Sequence, residues 1–322
     1  MSSLTPSDFT IFAGTARILV VTRPDGLAEM LGAQSQSQAK PSRRATLEAV
    51  TACGVKSIEF SIPNLRADVP TLSSVPVPDV KAFSEEFGFN VPSLGVGASD
   101  LVDRFDVVLN SAKELGATYV RISGGFDIGE DESDAVYYHN LAELMNTAGA
   151  ALAAEGITLA YHNHDADFRY AGGGKSRYRI LLDEVDPANA QFELDLYWAY
   201  VGNANAIELI EENPGRFKLF HVKDAMEVTA EAFSSTNATT QTSMTTTTVG
   251  NGKINFKEIF DLGATSGVEY YFIESDFPLP DGVTSVCDSY AYMTAPTAEA
   301  AAEIAAATSA KLAEAVPAAP AL

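Results

Sequence analysis

Short apolar runs rich in Val, Ile, Tyr and Phe alternate with longer amphipathic stretches along most of the chain. Eight runs read as strands: ARILVV from Ala16, VKSIEFSI from Val55, NVPSLGVG from Asn90, ATYVRISGG from Ala117, ITLAYHNH from Ile157, AQFELDLYW from Ala190, RFKLFHVKD from Arg216 and VEYYFIESD from Val268. Their length and their β-branched and aromatic content suit buried strands. Between them, SRRATLEAVTACG, DLVDRFDVVLNSAKELG, YYHNLAELMNTAGAALAAEG and FKEIFDLGATSG carry helical spacing. Gly54, Gly88, Gly116, Gly156 and Gly267 each stand just before a strand, where glycine supplies the left-handed residue that ends a helix.

Strand–helix alternation implies parallel strands joined by helical crossovers. A doubly wound sheet shares that rhythm, but a count of eight strands selects a closed α/β barrel, the (β/α)8 TIM barrel. Residues 1–322 read as a single TIM-barrel domain. The first unit departs furthest from the pattern, because a polar stretch from Gly32 to Pro41 separates its strand from its helix.

Two segments break the rhythm. Residues 225–249 form a Thr/Ser-rich insertion directly after the seventh strand, on the face where such barrels build active sites. It reads as a lid, an interface or a mobile loop. The C-terminus reads as an Ala-rich final helix followed by a flexible tail over residues 316–322.

Charge narrows the function classes. With 21 Lys+Arg against 43 Asp+Glu, a net −22 and no basic cluster, nucleic acid is excluded as a partner. No apolar run is long enough to span a membrane, and the N-terminus has no signal-peptide pattern. The two cysteines, Cys53 and Cys287, lack metal-type spacing, so neither a disulfide nor a thiolate metal site is expected. Together these features predict a soluble cytoplasmic protein.

Candidate chemistry lies at the strand ends. Of the four histidines, His162, His164 and His221 close strands five and seven. Side chains alternate faces with period two, so His162 and His164 share a face, as do His221 and Lys223, and Glu274 and Asp276. Asp195 ends strand six. The set is therefore His162 or His164, with Asp195, His221 and Glu274, drawn from four consecutive strands. Mixed imidazole and carboxylate donors suit Mn2+, Fe2+, Co2+ or Zn2+ better than Mg2+ or Ca2+. His139, on a helix among Tyr137, Tyr138 and Asn140, reads as a structural residue and not a site residue. GGGKS at Gly172 lacks the opening glycine of a phosphate loop and reads as a flexible loop.

Four blocks, GITLAYHNHDADF, FELDLYWAYVG, PGRFKLFHVKD and VGNGKINFKEIF with GVEYYFIESD, resemble the xylose isomerase-like TIM-barrel superfamily in its sugar phosphate isomerase/epimerase branch. The resemblance runs from about Arg43 to Tyr290. It implies one divalent ion at the barrel mouth, Mn2+ foremost with Mg2+, Co2+, Fe2+ or Zn2+ as substitutes. The ligands would be His162, Asp195, His221 and Glu274. His162 stands where the family commonly has Glu, which disturbs the two-glutamate proton shuttle of the epimerases. The chain is thereby closer to the family's eliminating members, inosose dehydratase and the catalytic subunits of C-glycoside deglycosidases.

The shared chemistry is removal of a proton next to a carbonyl. His164 is the expected general base, Lys223 the group that holds a developing oxyanion, and Glu274 a carboxylate serving both metal and catalysis. Asp224 is expected to orient Lys223 or His221. β-Elimination from a keto-sugar is the preferred outcome. Isomerisation or epimerisation through an enediolate is the alternative, and a non-catalytic barrel subunit the rival of another class. A carbohydrate substrate is expected, with a small second subunit or homo-oligomer as the candidate protein partner.

Overall fold

The computed structural model describes residues 17–22, 43–61, 71–72, 75–124, 134–172, 174–226, 246–274 and 282–294. The barrel strands are β1 (Arg17–Thr22), β2 (Ile58–Ser61), β3 (Ser93–Gly97), β4 (Tyr119–Ser123), β5 (Thr158–His162), β6 (Ala190–Asp195), β7 (Phe217–Val222) and β8 (Tyr270–Ile273). All pair in parallel with their sequence neighbours, and β8 pairs with β1, closing an eight-stranded ring. Helices α1 (Arg43–Ala52), α2 (Val77–Phe87), α3 (Ala98–Asp103), α4 (Phe105–Leu115), α5 (Asp134–Ala153), α6 (Arg177–Glu184), α7 (Leu196–Val201), α8 (Ala206–Glu212), α9 (Phe256–Asp261), α10 (Gly263–Ser266) and α11 (Gly282–Thr294) lie between and after the strands.

The near-continuous apolar runs follow from burial on both strand faces. Outward-facing Val120, Ile122, Leu159, Phe192, Leu194 and Phe220 pack under the helices. Inward-facing Tyr119, Ala160, Leu219 and Phe272 form a separate apolar cluster that floors the barrel. Two residues further along the same strands, the interior turns polar: Arg121, His162, His221 and Glu274 are all buried. An apolar floor beneath a polar layer is what directs chemistry to the C-terminal mouth.

The glycine stops behave as expected; Gly116 closes α4 at φ 69°, and its N–H bonds back to the carbonyls of Ala112 and Lys113. Three boundaries differ from the pattern. The sixth run was expected to continue to Trp198, but the chain turns helical at Leu196 because the Asp195 carboxylate accepts the Trp198 N–H at 2.8 Å and caps α7. The stretch from Asp100 to Gly116 is two helices, broken at Arg104 (φ −145°, ψ 31°), so that Leu101 and Val108 are buried from separate segments. At GGGKS, Tyr170–Gly172 pairs antiparallel with Lys175–Ser176, and Ser176 caps α6.

The cysteines overturn the expectation that they stay apart. Cys53, after α1, and Cys287, in α11, form a disulfide with Cα atoms 5.6 Å apart, across 234 residues of sequence. Tyr290 of α11 also donates to the Gly54 carbonyl at 3.0 Å. Among the described residues, the last helix is thus fastened to the first. Among the described residues no helix is long and apolar enough to cross a membrane. Asp276, the body of the insertion, the expected final helix and the tail lie outside the described residues.

Candidate active site

Strand pleating delivers the site. His162, Asp195 and His221 each offer a ligand atom within 4.8 Å of the others, all fully buried at the C-terminal ends of β5, β6 and β7. Asp195 Oδ2 is the common neighbour, 3.9 Å from His162 Nε2 and 3.7 Å from His221 Nδ1. Glu274, just after β8, brings Oε2 to 3.0 Å from His221 Nδ1. Donors bound to one cation at roughly 2.0–2.2 Å lie roughly 3–4 Å from each other, so these separations fit a single ion.

Charge points the same way. Glu59, Glu193, Asp195 and Glu274 are four buried carboxylates facing two buried cations, Arg121 and Lys223. With neutral imidazoles, carboxylates exceed cations by two among these described residues, an excess that a divalent ion would balance. Without the ion the site recruits protons instead. Burial and Glu59 push Glu193 up to about 7, and burial raises Asp195. Burial opposes a charge on His221, but Glu193 and Glu274 outweigh it and hold its pKa well above the ordinary value. His162 moves the other way, pushed well down by burial and by His221. Among the described residues its Nε2 has no hydrogen-bond partner, which leaves that nitrogen open to a cation. These donors therefore fit a divalent metal.

The pair His162/His164 separates in role. β5 ends at His162, and Asn163 then extends the ladder with its side chain: its Oδ1 accepts the Asp195 N–H at 2.9 Å and its amide donates to the Asp195 carbonyl at 3.2 Å. That clamp sets the height of Asp195 beside His162. His164 stands beyond the clamp, its ring 4.8 Å from His162 and 5.5 Å from Trp198. Its backbone N–H donates to Asp167 Oδ2 at 2.7 Å, and the Tyr161 hydroxyl donates to Asp167 Oδ1 at 2.8 Å. Tyr138 donates to the same oxygen.

Lys223 is 1% exposed; its Nζ donates to Glu274 Oε2 at 2.6 Å and lies 3.2 Å from Asp195 Oδ2. Tyr197 and Trp198 face the ammonium at 5.4 and 5.2 Å. Lys223 is therefore tethered to two candidate ligands rather than held apart from them.

Asp224 does not orient Lys223 or His221. Its carboxylate accepts the N–H groups of Ala225, Gly250, Gly252 and Ile254. These bonds, with antiparallel pairing of Asp224–Ala225 to Thr246–Thr247, pin both ends of the insertion beside the mouth. Gly252 is required there, since a Cβ would lie 2.3 Å from Asp224 Oδ1. His139 is a surface residue, 2.9 Å from Glu184.

Sequence reasoning passed over Glu59, Arg121 and Glu193. They form the layer beneath the mouth: Arg121 Nη2 donates to Glu59 Oε1 at 2.8 Å, and Arg121 Nε lies 3.2 Å from Glu193 Oε2. The signal was a charge in mid-strand at inward parity, as in VRIS and FELD.

Residues 47–282 match the family model described as xylose isomerase-like TIM barrel. Among solved structures, the chain is similar to a sugar phosphate isomerase/epimerase from Parabacteroides distasonis, with 20% identity and TM-score 0.63 over 86% of this chain and 99% of that one. It is also similar to an L-ribulose 3-epimerase, with 15% identity and TM-score 0.55 over 95% of this chain and 100% of that one. A probable 3-DHS dehydratase from Bacillus anthracis shares 10% identity at TM-score 0.57, over 85% of this chain and 97% of that one. No curated protein matches the chain significantly.

Proposed function

The chain belongs to the xylose isomerase-like TIM-barrel family, and on that premise we propose that it is a divalent-metal-dependent lyase acting on a keto-sugar, removing the proton next to the carbonyl and expelling a β-substituent. The observation that carries this reading is the convergence of His162, Asp195, His221 and Glu274 in one buried cluster of mixed imidazole and carboxylate donors. His162, Asp195, His221 and Glu274 would hold a divalent ion, Mn2+ as the first choice, which would supply Lewis acidity to the carbonyl group of the substrate.

The remaining roles fall to the protein. His164 stands beside the cluster as the imidazole that takes the α-proton, while Asp167 fixes the start of the turn that carries it. Lys223 has an ammonium N–H at 2.6 Å from Glu274 and offers its charge to the oxyanion that develops as the proton leaves. Elimination is favoured over epimerisation because β5 presents an imidazole at His162, where a two-carboxylate shuttle needs a second acid–base carboxylate. The similarity to a probable dehydratase supports the same outcome.

A second reading, isomerisation or epimerisation through an enediolate, draws on the likeness to an L-ribulose 3-epimerase. One experiment separates them. Metal-loaded protein is incubated in deuterium oxide with a 3-keto-glycoside and, separately, with free ketohexoses. An unsaturated keto-sugar plus a released aglycone supports the lyase. Epimerised ketohexose with solvent deuterium and no lost group supports the alternative. Turnover of neither substrate class would favour a non-catalytic barrel subunit.

A further inference from the structure

Glu193 Oε2 lies 2.9 Å from His162 Nδ1 and 3.2 Å from His221 Nε2, with the Arg121 Nε 3.2 Å away. Glu193 as an ionised carboxylate only accepts, so the His162 and His221 nitrogens that face it carry hydrogen. We propose that Glu193 is a positioning residue that assigns the ring nitrogens of both imidazoles, so that His162 meets a divalent cation through Nε2 and His221 through Nδ1. The proposal rests on the metal-site reading above and adds which nitrogens serve and what selects them.

Among the described residues, His162 has a carboxylate within hydrogen-bonding distance of one ring nitrogen only, whereas His221 has them at both. The His221 Nδ1 lies 3.0 Å from Glu274 Oε2, itself a candidate ligand, so a cation shared with Glu274 would take the place of the Nδ1 hydrogen. A hydrogen on one ring nitrogen of a neutral imidazole leaves a lone pair on the other. The remaining nitrogens, His162 Nε2 and His221 Nδ1, both turn toward Asp195 Oδ2, at 3.9 and 3.7 Å. One carboxylate beneath the mouth therefore aims two rings at one point above it. Histidine ligands elsewhere are held in this way by a carboxylate behind them; here the two rings share theirs. The two are not equally dependent on it. His221 Nε2 also lies 3.3 Å from Glu59 Oε1, whereas His162 Nδ1 is held by Glu193 alone among the described residues.

Glu59, Glu193 and His221 themselves approach within 4.8 Å, which by distance alone would suit a second cation. Arg121 fills that role. Its guanidinium sits 2.8 Å from Glu59 and 3.2 Å from Glu193, so this layer is a backing for the ligands and not another metal pocket.

The test is zinc titration of histidine-15N-labelled protein, read by long-range 1H–15N correlations, with zinc affinity measured by calorimetry. Wild type should show one ring bound through Nε2 and another through Nδ1. Glu193→Leu should weaken zinc binding about 10–100-fold and scramble the His162 tautomer while leaving His221 ordered. Glu193→Gln, whose amide oxygen still accepts the His162 Nδ1–H, should restore the tautomer and most of the affinity. Both rings binding through the same nitrogen, or Glu193→Leu leaving affinity and tautomers unchanged, would overturn the proposal. If wild type takes up no zinc, the metal reading fails separately, and the His162 tautomer in metal-free wild type and Glu193→Gln still decides the role of Glu193. Should Glu193→Leu not fold, those same two spectra carry the decision.

Discussion

Lys223 Nζ donates to Glu274 Oε2 at 2.6 Å, in a pocket where the lysine is 1% exposed. The ammonium and a bound cation would therefore compete for the same carboxylates, and removing the lysine should separate its two effects. Breaking a buried pair from one side costs about 3–5 kcal/mol, so metal-free Lys223→Met should melt several degrees below wild type. Added Mn2+ should recover most of that loss, because the freed carboxylates bind it at least as tightly. Melting curves with chelator and then with Mn2+ test this: the metal-induced rise must be larger in the variant. Turnover should stay low at saturating metal, since the oxyanion partner is gone.

Asp195 and Glu274 should be indispensable for metal and expendable for the fold. Asp195→Asn keeps an oxygen able to cap α7 through the Trp198 N–H, and Glu274→Gln keeps an acceptor for Lys223. Each variant should retain native circular dichroism yet hold under a tenth of the metal that wild type holds after dialysis, by elemental analysis. Wild-type metal content in either variant would remove that residue from the ligand set.

His164→Ala should bind metal normally and lose activity by about 10²–10⁴-fold, the usual contribution of a positioned general base. Exchange of the substrate α-proton with deuterium oxide should vanish in parallel with turnover. Loss of metal instead would make His164 the β5 ligand and send His162 to another role.

How far the sequence disclosed this site depends on which rule each residue obeys. Asp195 and His221 could be read because a polar group at the C-terminal end of a barrel strand has few reasons to be there other than chemistry. Glu193 is two residues earlier in the same FELD run, but a mid-strand charge has no positional rule, and only the barrel's closure brings it together with Glu59 and Arg121 from β2 and β4. The strand count and the helix stops were legible because they depend on local pattern and backbone conformation. The break at Arg104 was not, because it depends on where Leu101 and Val108 find cover. The Asp224 cradle was hidden for a different reason: it answers to backbone amides some 26–30 residues away across an insertion.

Asp167 should give the fold a pH signature. Burial raises its pKa from 3.8 to about 6, despite the tyrosine hydroxyls and the His164 N–H that favour its charge. A raised folded-state pKa means the native protein binds this proton more tightly than the unfolded chain does. The associated stability is fully present below about pH 3.8 and lost as pH rises through about 6, a change of about 3 kcal/mol at the upper end. Asp167→Asn cannot titrate. Urea unfolding from pH 4 to pH 7 should show the difference between wild type and variant shifting toward the variant as pH rises. A constant difference would mean that Asp167 is ionised throughout.

The Cys53–Cys287 bridge carries the last prediction. It spans 234 residues and ties α11 to the turn after α1. Cross-linking so long a loop restricts the unfolded chain strongly, and losing such a bond typically costs 2–5 kcal/mol. Cys53→Ala/Cys287→Ala should therefore melt several degrees lower than oxidised wild type, and a reductant should lower wild type by the same amount while leaving the double variant unmoved. Metal affinity should not change, because no ligand lies on either helix. Equal melting with and without reductant, with two titratable thiols in unfolded untreated protein, would mean that the cysteines stay reduced, as their sparse count first suggested. A bridge that resists reduction until the protein unfolds would instead fit its burial, with Cys53 6% exposed and Cys287 fully covered.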